Sequence, residues 1–248
     1  MTKFNAGIIV IGDEILSGRT HDTNSNFMAK KLINAGIQLD VIKIIQDNQQ
    51  VIIKNVLDFH SKYTYVFTTG GIGPTHDDIT SESIAKAFNQ KYCFHQKAFK
   101  ILQQYYPKGE FNEGRQKMSK MPEHAELILN PLTAAPGFSV KNIYVLPGVP
   151  DIMQKMFVNL LENLEKGPPK NSVTININLY ESTIASDLEL IQKNNQNCSI
   201  GSYPYFNYIS KTGGVNIVVS SWELDDLHPI VKKIIEMISL LDGKSLIV

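Results

Sequence analysis

From Thr69 to Thr80 the chain reads Thr-Gly-Gly-Ile-Gly-Pro-Thr-His-Asp-Asp-Ile-Thr, with three glycines a few residues ahead of two adjacent carboxylates. Gly70, Gly71 and Gly73 permit positive φ and let a ligand approach the backbone. A helix that starts near Thr80 would add free N–H groups and partial positive charge, which suits phosphate. Asp77 and Asp78 fit beside an anion if a hard divalent cation bridges them to it. The plain structural alternative is that Asp78 or Thr80 simply caps the helix. His21 and His76 lie near these motifs without zinc-type partners at close spacing, so they read as polar lining or surface. Ser17 lacks the strand–elbow–helix setting of a serine nucleophile. Arginine occurs only at Arg19 and Arg115. Arg19 is a candidate phosphate fork, against the ordinary reading of a solvated surface residue.

Residues 63–67 are aromatic and β-branched, as in a buried strand, and Ile79, Ser83, Ile84 and Phe88 begin a helical period. Residues 7–11 are continuously apolar, as in a strand covered on both faces. A helix follows from Asn24, stopped by Gly36, then a strand over 37–45, a helix over 49–60 and the strand over 63–68. This βαβαβα order predicts a parallel sheet between helix layers, an α/β fold. Further on we expect helices over 80–89 and 97–106, a short helix over 112–121 and a short strand over 127–129. A loop through 134–138, a strand over 143–146 and a helix after Pro150 complete this part. Three apolar strands thus end in glycine turns: Gly12-Asp13-Glu14, the triple-glycine stretch, and Pro147-Gly148. In a parallel sheet those ends share one edge, where ligands bind. Open α/β sheets need turns there anyway, but four crowded acids without a cation would be costly.

Gly167-Pro168-Pro169-Lys170-Asn171 reads as a linker. It separates a domain over 1–166 from a small α+β module over 172–248, with βαββα order and Gly213-Gly214 ahead of its last strand. At 248 residues the chain accommodates two modest domains. Its 24 basic and 24 acidic residues balance, so no bulk field advertises nucleic acid or a membrane. Cys93 and Cys198 lack metal or redox spacing and read as thiols of a reducing compartment, although one disulfide is compatible with the count. The short apolar run before Asp13 is a strand, not a signal peptide, and no stretch reaches membrane-spanning length. A soluble cytoplasmic protein is expected.

With these segments laid out, the chain resembles the MoaB/Mog molybdopterin-binding superfamily, most closely the N-terminal part of CinA-type competence/damage-inducible proteins. The resemblance rests on residues 11–20 with Asp22-Thr23-Asn24-Ser25, on residues 69–80, on Ala135-Pro136-Gly137-Phe138 and on Leu146-Pro147-Gly148-Val149-Pro150. It implies a three-layer α/β/α domain with a mostly parallel sheet, followed by a small KH-like module. Mog-type members bind and adenylylate molybdopterin. CinA-type domains are implied to be metal-dependent pyrophosphatases acting on ADP-ribose, and relatives in eukaryotic FAD synthase to hydrolyse FAD. Longer members carry a further domain that deamidates nicotinamide mononucleotide, an activity not expected of this chain. A homo-oligomer is implied as well.

Carried onto this sequence, the catalytic candidates are Asp78, Asp77 and Glu14. Asp13, Asp77 and Asp78 are candidate ligands of Mg²⁺ or a similar divalent ion. Gly12, Asp13, Arg19, Asn24, Thr69, Gly70, Gly71, Gly73, Thr75, Pro147 and Gly148 are candidate contacts to a nucleotide diphosphate or molybdopterin-like ligand. Two positions depart from the pattern: Thr133 stands where a glycine is usual, and Ile152 where a glutamate is usual. They favour the alternative of a molybdopterin- or nucleotide-binding protein without turnover. RNA binding by the KH-like module is disfavoured by the neutral charge and by the position of Gly213-Gly214.

Overall fold

Successive residues of β1 (Asn5–Ile11) face different helix layers. Ile8 and Val10 pack with Met28, Leu32, Met153 and Phe157, whereas Ile9 and Ile11 pack with Ile52, Val56, Phe59 and Ile84. Both faces of the strand are covered, which is why its sequence is apolar throughout. The computed structural model describes residues 4–207 and 212–248. The chain divides into two units, Thr2–Gly167 and Pro168–Val248.

In the first unit β1 is followed by α1 (Asp13–Leu16), α2 (Asn24–Asn34), β2 (Gln38–Ile45), α3 (Gln49–Lys62), β3 (Tyr65–Thr69) and α4 (Thr80–Ala87). Then come β4 (Tyr92–Phe94), α5 (Gln96–Tyr105), α6 (Glu113–Lys117), β5 (Lys120–Pro122), β6 (Glu126–Ile128), β7 (Gly137–Val140), β8 (Ile143–Leu146) and α7 (Pro150–Glu162). The main sheet has the order β2-β1-β3-β8-β7-β6. Its first four strands are parallel, while β7 runs against β8 and β6 against β7. Side chains of α2 and α7 cover one face, and those of α3 and α4 the other. This is the expected α/β/α sandwich with a largely parallel sheet. The chain leaves β1 toward β2 on one side and returns to β3 on the other, so a topological switch point lies between β1 and β3.

Local differences from the sequence reading have physical causes. The helix expected over 112–121 ends at Lys117, where the Ser119 amide and hydroxyl both donate to the Gln116 carbonyl. Lys120–Pro122 instead pairs with β4, a tertiary partner that helical periodicity does not register. The loop expected through 134–138 includes the start of β7. Gly137 lies so close to β8 that a Cβ there would sit 2.3 Å from the Val145 carbonyl oxygen. The β7–β8 hairpin turns at Lys141, with φ 55.

The second unit contains β9 (Asn171–Ile177), α8 (Glu181–Lys193), β10 (Ser199–Asn207), β11 (Thr212–Ser221), α9 (Leu227–Leu240) and β12 (Ser245–Ile247). Its antiparallel sheet has the order β10-β11-β9-β12. Ile175, Ile177, Val215, Ile217 and Val219 form one core with Ile184 of α8 and Ile234 of α9. Gly213 and Gly214 lie inside β11, opposite Phe206 and Tyr205, and do not precede the strand. The terminal β12 adds a strand to the expected βαββα order; its three residues are exposed and show no apolar alternation. Among the described residues no helix is long and apolar enough to cross a membrane.

Phe157 is fully buried and meets Phe67 edge-on, with ring centroids 5.1 Å apart. Phe157→Ala is expected to lower stability by about 3–5 kcal/mol in urea unfolding followed by far-UV circular dichroism. A loss below about 1 kcal/mol would contradict this packing.

Candidate functional site

Gly70 closes β3 with φ 101, and a Cβ there would lie 2.1 Å from the Ile11 carbonyl oxygen. Its amide donates to the Leu146 carbonyl at 3.2 Å. The ends of β1, β3 and β8 therefore meet backbone to backbone at this residue. Gly71, with φ 68, accepts the Thr80 amide at 3.0 Å and leaves room for the Thr80 side chain. These bonds revise the sequence picture of the phosphate cradle. The amides of Gly70 and Thr80 are taken inside the fold, whereas those of Gly71, Ile72 and Gly73 meet no acceptor among the described hydrogen bonds. The Gly12 amide is likewise taken, by the Ile45 carbonyl at 3.1 Å.

Beyond the glycines the loop braces itself. Asp78 accepts the Thr75 amide at 2.8 Å and also the Thr75 hydroxyl. Lys117 of α6 donates to the Thr75 carbonyl. Thr75 is thus a brace, not a lining residue. Asp77 is exposed, and the Thr75 hydroxyl, its own amide and the nearby His76 and Lys117 hold its carboxyl below the usual aspartate value.

Asp47 is the acid that the sequence reading missed. The Asp13 amide donates to the Asp47 carboxylate at 3.0 Å, and the Asp47 amide to that of Asp13 at 3.4 Å. Burial chiefly raises the Asp47 pKa; the Asp13 amide opposes this, while Asp13, Glu14 and Asp77 push it further up. The available signal was positional. Asp47 follows the end of β2, a parallel neighbour of β1, so it belongs to the same strand-end edge. Among the described residues no group of three or more His, Cys, Asp or Glu side chains forms a ready-made metal cage. All the donors here are carboxylates, and their mutual repulsion is the kind that a hard cation relieves.

A cavity of about 600 Å³ opens over this edge. Of the anticipated residues it gathers Glu14, Gly70, Gly71, Gly73, Asp78, Pro147 and Gly148. Asn24 and Thr69 line a small adjoining cleft with Glu14 and His21. The Asn24 side-chain amide donates to the Gly148 carbonyl at 2.8 Å, tying α2 to the turn after β8. Asp22 already accepts the amides of Asn24 and Ser25, so the N-terminus of α2 has its anion. Arg19 is exposed and lines neither space. Unforeseen from sequence, Tyr105, Tyr106, Met118 and Asn130 line the cavity as well.

The two departures also line the cavity. Thr133 is not among the residues with positive φ, and its hydroxyl and amide both bond to the Asn130 side chain, at 2.6 and 2.9 Å. A β-carbon therefore fits that loop without strain. Ile152 of α7 packs on the adjacent core and presents an apolar wall.

The family described as "Probable molybdopterin binding domain" matches residues 7–166, which carry this whole edge. The chain belongs to the MoaB/Mog molybdopterin-binding family. Residues 169–241 match the family described as "FAD synthase, middle domain". A protein of Archaeoglobus fulgidus is 37% identical over 232 residues, covering 94% of this chain and 97% of its own. A competence-damage inducible protein of Clostridium botulinum (strain Loch Maree / Type A3) is 33% identical over 208 residues, covering 80% of this chain and 51% of its own. The aligned region is thus about half the length of that relative. Among solved structures, the protein CinA with unknown function from Thermoplasma acidophilum is similar, with a TM-score of 0.62 and 30% identity over 66% of this chain and 99% of that one.

The raised pKa of Asp47 means that the folded chain holds this proton more tightly than the unfolded chain does. The stability it contributes is full below the ordinary value of 3.8 and is lost as pH rises through the raised value. Asp47→Asn keeps an acceptor for the Asp13 amide and removes one charge. We expect it to raise the thermal midpoint relative to wild type at pH 7, with the gap closing in acid. A variant less stable than wild type at pH 7 would contradict this.

Proposed function

We propose that the cavity hydrolyses a nucleotide pyrophosphate of the ADP-ribose or FAD class. The observation that carries this is the meeting of unengaged glycine-turn amides with the carboxylates of Glu14 and Asp78 at the switch point of the sheet. Backbone N–H groups in such a turn suit phosphate oxygens without adding side-chain bulk. Water attacks one phosphorus as the bridging P–O bond breaks, and that electron pair leaves on the second phosphate. ADP-ribose would give AMP and ribose 5-phosphate. Glu14 suits the role of base, because it lines both spaces and no hydrogen bond to its carboxylate is described. Asp78, anchored through Thr75, keeps a fixed orientation.

Asp77 and Asp78, with Asp13 and Asp47 nearby, would hold a divalent ion, which when bound supplies neutralisation of phosphoryl charge. Mg²⁺ commonly takes only one or two carboxylates and completes its shell with phosphate oxygens and water, so it needs no protein-only cage of the kind absent among the described residues. The likeness of residues 169–241 to the middle domain of FAD synthase agrees with a nucleotide ligand. A soluble, cytoplasmic homo-oligomer completes the proposal.

A second reading, a molybdopterin or nucleotide held without turnover, is favoured by the apolar Ile152 in the cavity wall. Incubation with ADP-ribose and with FAD, with and without magnesium, separates the two. AMP release only with the ion is the expected result. Tight binding without product under every ion would establish the non-catalytic reading. Asp78→Ala is expected to lower kcat by about 100-fold or more with an unchanged circular dichroism spectrum. Undiminished turnover would remove Asp78 from the mechanism.

A further inference from the structure

We propose that the exposed face of Tyr105 is a stacking shelf for the ring-bearing half of the ligand. It would select for a planar ring while tolerating which ring it is. The proposal rests on the reading that this cavity takes a phosphorylated, ring-bearing ligand, and it assigns a contact to the ring.

Tyr105 is the last residue of α5 and Tyr106 its C-cap. Both line the cavity that holds the glycine turn and Asp78. Tyr106 is a brace. The Arg115 guanidinium lies 4.1 Å from its ring centroid, and Phe111 stacks with it at 6.3 Å and 14°. Phe111 in turn meets Phe99 at 4.9 Å, and Arg115 is fastened to the Glu110 carboxylate at 3.0 Å. Tyr105 meets Tyr106 edge-on, at 84° and 5.2 Å, its only described ring contact. Its side chain thus meets Tyr106 at one edge while the residue stays 54% exposed, which leaves ring surface open beside the cavity. An open ring face of this kind favours offset stacking with another π-system.

Tolerance follows from the polar neighbours. The Asn130 side-chain NH₂ donates to the Thr133 hydroxyl at 2.6 Å and to the Ala135 carbonyl at 3.0 Å. Its carbonyl accepts the amides of Leu132 at 3.0 Å and Thr133 at 2.9 Å. The full hydrogen-bonding capacity of this amide is therefore used within its own loop. Asn130 thus has no open amide to read a base edge, and the contact assigned to Tyr105 is stacking, which every base offers.

The test uses the full chain and three ligands measured by calorimetry: AMP, FMN and the ring-free ribose 5-phosphate. Wild type should bind AMP and FMN more tightly than ribose 5-phosphate. Tyr105→Ala should weaken AMP and FMN together by about tenfold, and Tyr105→Phe should stay within about twofold of wild type because the ring is kept. Ribose 5-phosphate should bind equally to all three proteins. The shelf is overturned if wild type shows no ring preference, if none of the three ligands binds, if the ring-free ligand falls equally, or if only one ring responds. AMP release from ADP-ribose is scored separately. Tyr105-dependent binding without release supports the shelf and removes the hydrolase reading, whereas release with Tyr105-independent binding removes the shelf and leaves the hydrolase.

Discussion

The backbone of Gly70 rests against the last carbonyl of β1 and bonds to the last residue of β8. Three parallel strands are thereby gathered at one point with no side chain between them. Gly148, in the turn after β8, adds to this: a Cβ there would be 3.4 Å from the Gly70 Cα. The floor of the cavity is consequently main chain, and the functional side chains stand around it on the turns that leave each strand. Any L-residue at position 70 would have to adopt φ 101 and push β1 aside at the same time.

Charge around that floor is one-sided. Glu14 and Asp78 line the cavity, Asp13 and Asp47 hold each other's amides beside it, and no lysine, arginine or histidine is among the cavity-lining residues described. Lys117 stands behind the loop, on the Thr75 carbonyl. An anionic ligand would therefore meet neutral N–H dipoles with acids at their flank, an arrangement that asks for a counterion. The neutral balance of the whole chain conceals this local excess.

The parallel half of the sheet was legible because β1, β2 and β3 alternate with helices, and a buried parallel strand has a compositional signature. The edge that carries the site followed from the same logic, since strand ends of a parallel sheet align whatever their side chains are. Three features were not legible. Asp47 stands beside no glycine, so no local motif marks it, although it follows a strand of the same set. The availability of individual amides depends on partners remote in sequence, such as Leu146 for Gly70 and Ile45 for Gly12. The tyrosine wall comes from the end of α5, whose approach to the glycine turn is set by the pairing of β4 with β5 and the packing of α6, and neither has a periodic signal.

Thr75 and Asp78 are three residues apart, and both described hydrogen bonds to the Asp78 carboxylate come from Thr75. The acid is oriented by its own short stretch of chain, whereas the aromatic side of the cavity is assembled from separate segments. The acidic loop therefore carries the contacts that orient Asp78 within four residues of chain, with Lys117 of α6 as an outside support, while the aromatic wall depends on several segments folding together.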